Sequence, residues 1–125
     1  MKKEIISKDA PQAIGPYSQG IEIDNLVFLS GQIGIMENGE IASGGTLGQF
    51  KQIMKNIEYI LKELNLGFSS IIKTTLFLKN MDDFQEINSA YKNYWTKPYP
   101  ARSTVEVARL PKNVDIEIEV IAIKR

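Results

Sequence analysis

The chain has 125 residues, 43% of them hydrophobic and 24% charged, which suits one soluble domain built around one core. Its 15 basic residues balance 15 acidic ones, so no excess positive charge draws it to nucleic acid. Cysteine and histidine are both absent, which excludes disulfides, thiolate nucleophiles, Cys/His zinc sites and any Ser-His-Asp arrangement.

Carboxylates, tyrosines and lysines are what remain for proton transfer. The first residues, MKKEIISKDAP, carry two lysines with no apolar run behind them, unlike a secretory signal. No stretch has the length needed to span a bilayer, so a cytoplasmic protein is expected. Residues 2–6 allow a first strand. IGPYSQG, residues 14–20, is a loop that fixes Tyr17 behind Gly15-Pro16, and packing accounts for that tyrosine as well as chemistry does.

IEIDNLVFLS, residues 21–30, alternates in two short runs around Asp24-Asn25 and predicts a hairpin or bulged bend, closed by Gly31. Ser30-Gly31-Gln32 at the strand end offers backbone N–H groups that can bind an oxyanion or carboxylate, or is only a turn. NGEIASGG, residues 38–45, is a loop. Thr46 with Gln49 then makes a capping-box pattern. Phe50, Ile53, Met54, Ile57, Ile60, Leu61 and Leu64 follow at helical spacing, with Gly67 where a C-terminal cap belongs.

SIIKTTLFLK, residues 70–79, alternates as a strand. Asn80 or Asp82 can cap a second helix with Phe84, Ile87, Tyr91, Tyr94 and Trp95 on one face, broken by TKPYP. Asn88 on that helix reads by default as a solvated polar residue. Strands over about 101–109 and 114–124 finish the chain, joined through LPKN. The expected class is α+β, a mixed sheet with two helices packed on one face.

Along the last strand Ile116, Ile118, Val120 and Ala122 suit the helix-covered core. Glu117, Glu119, Ile121 and Ile123 point the other way, a face too apolar for plain solvent, and another subunit is expected to cover it. In PARSTVEVARLP, residues 100–111, Arg102, Thr104, Glu106 and Ala108 share one face against Ser103, Val105 and Val107. Assigning the valines to the core places Arg102 on the non-helix face. If the last two strands pair, it approaches Glu117 there. Two readings stand: a guanidinium that captures a planar carboxylate beside a general base, or an edge-strand charge paired with Glu117. No dinucleotide fingerprint, Walker motif or metal-ligand spacing is present.

APQAIGPYSQG, LSGQIG, IIKTTLFLKNMDDFQEINSAY and PARSTVEVARLPKNVDIEIEVIA, at these spacings, resemble the RidA (YjgF) family of reactive-intermediate deaminases. The resemblance runs from about Asp9 to the C-terminus and makes residues 1–125 a single RidA-like domain. It implies a chorismate-mutase-like fold, assembled as a homotrimer with clefts between subunits. It implies hydrolysis of enamine and imine intermediates, such as 2-aminoacrylate and 2-aminocrotonate, to 2-keto acids and ammonia.

By the same resemblance Arg102 grips the substrate carboxylate, Glu117 serves the attacking water, and Tyr17 is the tyrosine of the catalytic set. Ser30, Gly31 and Asn88 fall on the family's substrate-binding positions. Thr104 stands where many members carry cysteine, which leaves a hydroxyl to line the pocket and donate a hydrogen bond. Glu119 shares the face of Glu117 but matches no catalytic position. No cofactor, metal, membrane or nucleic-acid partner is expected; the ligands are small imino and keto acids. This fits a chain without His or Cys, since an iminium carbon is already electrophilic and needs only a held carboxylate, a placed water and a base. The alternatives are a trimeric small-ligand-binding or chaperone-like protein, a related deaminase of 2-aminomuconate type, and an endoribonuclease, which the neutral charge balance opposes.

Overall fold

A computed structural model of the chain describes residues 1–124. Its strands are β1 (Lys3–Ile5), β2 (Gly20–Ile23), β3 (Leu26–Ile33), β4 (Ile71–Leu78), β5 (Ala101–Glu106) and β6 (Ile116–Ile123), and its helices are α1 (Gly45–Lys62) and α2 (Phe84–Tyr91). The strands form one six-stranded sheet in the order β1-β2-β3-β6-β4-β5. The sheet is mixed: β5 runs parallel to β4, and the other pairs are antiparallel. The hairpin turns at Asp24, which takes the left-handed conformation (φ 52) that an aspartate tolerates.

Period-two and period-3.6 patterns meet in the core. Ile116, Ile118, Val120 and Ala122 of β6 are each at most 2% exposed, under a helical face of Phe50, Ile53, Ile57 and Ile60 at 0%. Ile87 and Tyr91 of α2 complete it beside β4. No described helix is long and apolar enough to cross a membrane.

Both ends of α1 depart from expectation. Gly44, at φ 101, is the N-cap and no side chain caps the helix. Thr46 therefore lies inside the first turn, and its hydroxyl instead donates to Asp83 Oδ2 at 2.7 Å. Gln49 is spent on Asp115, accepting from its amide at 2.8 Å and donating to its carboxylate at 3.1 Å. At the other end Asn65, not Gly67, adopts the left-handed residue (φ 59). Leu66 N–H then reaches Leu61 O at 3.1 Å, closing a Schellman motif. Gly67 is extended and opens a short 3-10 turn, Phe68–Ser70. Asn80 caps a 3-10 turn, Met81–Asp83, that leads into α2, its side chain accepting from the Asp82 amide at 2.9 Å. Helix α2 itself has Asp83 as N-cap and no side-chain cap, so neither Asn80 nor Asp82 caps it directly.

Strand β5 overturns two expectations. It pairs with β4, not with β6. Its register sets Arg102 beside Thr74, Thr104 beside Leu76 and Glu106 beside Leu78. Thr74, Leu76 and Leu78 are buried beneath the helices, so Arg102 and Thr104 lie on the helix side of the sheet. The alternation itself is correct and its sense is reversed. The valines misled because β5 is an edge strand: Val105 is 43% exposed on the open face, beside Phe77.

That open face carries Glu117, Glu119 and Ile121 of β6 with Phe28 of β3, which is 41% exposed. It is the semi-apolar surface that the alternation of β6 requires.

Candidate functional site

The candidate residues fall into two clefts, one on each side of the sheet. On the helix side β5 delivers Arg102 and α2 delivers its cradle. Phe84, Asn88 and Tyr91 stand at helical spacing on one face of α2. Arg102 Nη1 donates to Asn88 Oδ1 at 2.8 Å. Its guanidinium carbon lies 4.8 Å from the Tyr91 ring centroid and 5.4 Å from that of Phe84. These contacts fix the plane of the fork without neutralising it. The ion pair among the described residues is Lys124 with Glu22, at 2.7 Å, so no described carboxylate claims Arg102.

The concavity at this point has a volume of about 600 Å³ and is bordered by Arg102, Asn88, Lys92 and Tyr99. Burial raises the Tyr91 phenol above its ordinary pKa, against the lowering effects of its Thr74 hydrogen bond and the Arg102 charge. It is a neutral wall, and the Tyr91 hydroxyl and Thr74 Oγ1 lie 2.7 Å apart.

Thr104, expected to line the pocket, lies two residues along the same face but outside this lining. Its hydroxyl is buried without a hydrogen-bond partner. An orphaned buried hydroxyl costs stability that a methyl of the same shape does not. Thr104→Val is therefore expected to stabilise the fold by about 1 kcal/mol, a rise of roughly 3–5 °C in Tm by scanning calorimetry. An unchanged or lower Tm would show that the hydroxyl has a partner in the working protein.

The second cleft, about 770 Å³, opens on the other side of the sheet and gathers Tyr17, Ser30, Gly31, Glu117 and Glu119. It is built on an irregularity in β3. Leu29 pairs with Val120 and Gln32 with Ile118, so Ser30 and Gly31 together oppose the single residue Glu119. This is a β-bulge, and the strand continues through Gly31 to Ile33 instead of closing there. A side chain at Gly31 would fall on the Glu117 carboxylate, so glycine is what lets that carboxylate lie against the strand.

Ser30 is less free than its sequence suggests. Its hydroxyl donates to Ser18 O at 2.5 Å and its amide to Gln19 O at 2.9 Å. That amide is not available to bind an oxyanion. Tyr17, 51% exposed, stands at the cleft edge with its ring against Gly15. Burial, and then the charge of Glu119, hold Glu117 above the usual carboxylate range, which is the direction that makes a carboxylate a better base.

The structure thus brings Arg102 together with Asn88, and Glu117 together with Tyr17, Ser30 and Gly31. It does not bring the two groups together. Strand β4 separates β5 from β6, and the side chains leave opposite faces. The aromatic cradle of Arg102 went unread in the sequence, although Phe84, Asn88 and Tyr91 at i, i+4 and i+7 were a signal for it.

The family model described as Endoribonuclease L-PSP matches residues 7–124. A Lactococcus lactis protein bearing the name of a regulator, AldR, is 53% identical over 121 residues, covering 96% of each chain. The Escherichia coli K12 protein named 2-iminobutanoate/2-iminopropanoate deaminase is 43% identical over 129 residues, covering 100% of both. The crystal structure of E. coli TdcF with bound serine superposes with a TM-score of 0.92 at 41% identity, covering 98% of this chain and 99% of that one. A mixed α+β fold with the same sheet and helices, and relatives of these names along the whole chain, show that this protein belongs to the RidA (YjgF) family.

Proposed function

We propose that the protein hydrolyses 2-imino acids, the tautomers of 2-aminoacrylate and 2-aminocrotonate, to 2-keto acids and ammonia in the cytoplasm. The observation that carries this reading is the Arg102 fork, held in plane by Asn88 and two aromatic rings and left without a carboxylate partner. Such a group fits the planar carboxylate of a small imino acid. A relative solved with bound serine, itself an α-carboxylate ligand, supports the same class.

In this reading Glu117 takes a proton from water as the water oxygen bonds to the iminium carbon, whose C=N pair moves onto nitrogen. The Glu117 carboxyl then returns that proton to the carbinolamine nitrogen, the C–N bond breaks to release ammonia, and the hydroxyl proton passes to the regenerated carboxylate as the C=O bond closes. Tyr17 borders the same space and lends its phenol as a hydrogen-bond partner to the changing nitrogen or oxygen. Neither a metal nor a covalent intermediate is required, since the carbon is electrophilic at the outset.

The two clefts combine only if two chains do. We place the Arg102 half-site of one subunit against the Glu117 half-site of its neighbour, in a homotrimer that covers the open sheet face. Ile121→Arg is then expected to yield monomers by sedimentation, because a buried unpaired charge is strongly destabilising. A wild-type chain that sediments as a monomer would sink the shared site.

Mixing two inactive variants tests the function and the arrangement together. Arg102→Ala and Glu117→Gln chains, denatured and refolded at equal amounts, should regain about a quarter of wild-type turnover, since mixed trimers each hold one intact cleft. The assay supplies the imine from a serine/threonine dehydratase. A wild-type protein that retains but does not hydrolyse the imine would instead favour the regulator-like binding role that the AldR name suggests.

A further inference from the structure

Residues 8–18, which carry Tyr17, run between β1 and β2 with no regular secondary structure of their own. They are nevertheless well anchored. Ser7 is 0% exposed and Gln19 is 4% exposed, and the two form a buried polar clasp. The Gln19 side chain accepts from the Ser7 amide at 2.7 Å and donates to Ser7 O at 3.2 Å and Pro11 O at 2.7 Å. Gln12 adds bonds from its Nε2 to Ser7 O at 2.7 Å and Ala10 O at 3.1 Å. The Ser30 hydroxyl holds the far end of the segment through Ser18 O at 2.5 Å.

Buried backbone groups need partners, and this segment has no ladder to supply them. One side-chain amide takes the place of that ladder. We infer that Gln19 is the positioning residue that fixes the 8–18 segment, and Tyr17 with it, against the Glu117 half-site. This rests on the proposed hydrolase reading for its catalytic consequence, but the anchoring itself does not depend on that reading. The Gln19 side chain borders the cleft that holds Glu117, but all three of its hydrogen bonds are to backbone, so it acts on the chemistry only through the segment it holds.

Gln19→Met separates hydrogen bonding from packing, because methionine keeps the length and volume of glutamine and removes the amide. Two readouts are needed. Amide hydrogen exchange should quicken by about tenfold or more across residues 8–18, with α1 and β6 unchanged. Turnover of a dehydratase-derived imine should fall about tenfold in kcat, with little change in KM, as misplaced groups lose transition-state contacts. In a Tyr17→Phe background the added loss from Gln19→Met should shrink to less than about twofold, since the two act through one group.

Wild-type exchange across 8–18 in folded Gln19→Met overturns the inference, as does a loss of turnover that simply adds to that of Tyr17→Phe. If Gln19→Met does not fold, Ser30→Ala opens the far end of the segment and should give the same local exchange; its absence counts equally against the clasp. Faster local exchange with unaltered turnover would uphold the anchoring and reject the role given to Tyr17.

Discussion

Arg102→Ala is expected to leave a folded trimer whose kcat/KM for imine hydrolysis is lower by two to three orders of magnitude, about 3–4 kcal/mol of transition-state binding. The fold should survive because Arg102 stands at an edge strand, and what it touches can be resolvated. Asn88 Oδ1 loses its donor at an exposed position, and the Phe84 and Tyr91 rings keep their core contacts. On the proposed reading the substrate loses far more, because its carboxylate would enter a cleft with no second fork to meet it. Arg102→Lys should recover little: an ammonium can lie over the Tyr91 ring but cannot present two parallel N–H groups. Asn88→Ala should fall between, costing about tenfold, since it frees the guanidinium to turn without removing it. Circular dichroism and sedimentation establish the fold, and a coupled keto-acid assay reads the rate. Near-normal turnover in Arg102→Ala would leave the arginine a structural residue.

Most of the architecture was legible because it rests on two periodicities that the sequence carries plainly. The α1 stripe from Phe50 to Leu61 and the β6 alternation from Ile116 to Ala122 each face one core, and both read correctly. Strand neighbours are different in kind. Nothing in PARSTVEVARLP says that β4, thirty residues upstream, will take the place beside it in preference to β6. The valines compounded the error, since an apolar residue on an edge strand is a core residue only if the far face is solvent. Here the far face is itself semi-apolar, so apolarity could not tell the sides apart. Helix ends failed for a local reason. Gly44 and Asn65 hold the left-handed positions, while the more familiar cap residues Thr46 and Gly67 are spent on tertiary and extended geometry. The candidate site residues were named one by one, by resemblance. Their division between two faces could be seen only once the register of β5 was known.

Glu117→Gln should part binding from turnover and trade stability for it. The carboxamide keeps the shape of the carboxylate, and Arg102 still holds the ligand, so the Kd for a 2-keto acid is expected to stay near the wild-type value in calorimetric titration. The rate should fall by about two orders of magnitude or more, the usual contribution of a general base. Stability should move the other way at neutral pH. Burial and the Glu119 charge raise the Glu117 pKa in the folded chain, so the folded state holds this proton more tightly than the unfolded one. Its contribution to stability is then fully present below the ordinary carboxylate pKa and is lost as the pH rises through the raised value. At pH 7 the ionised carboxylate is a cost, and Glu117→Gln, which cannot ionise, should melt at a higher temperature than wild type. The gap should close as the pH is lowered towards 4, where wild type is protonated too. Glu119→Gln gives the complementary result: near-normal turnover at the optimum, with the acid limb of the pH–rate profile moved to lower pH. A Glu117→Gln protein that turns over normally removes the base assignment. One that binds keto acid far more weakly makes Glu117 part of the ligand's grip, and a melting temperature unchanged at pH 7 would mean that its carboxylate is well solvated in the assembled protein.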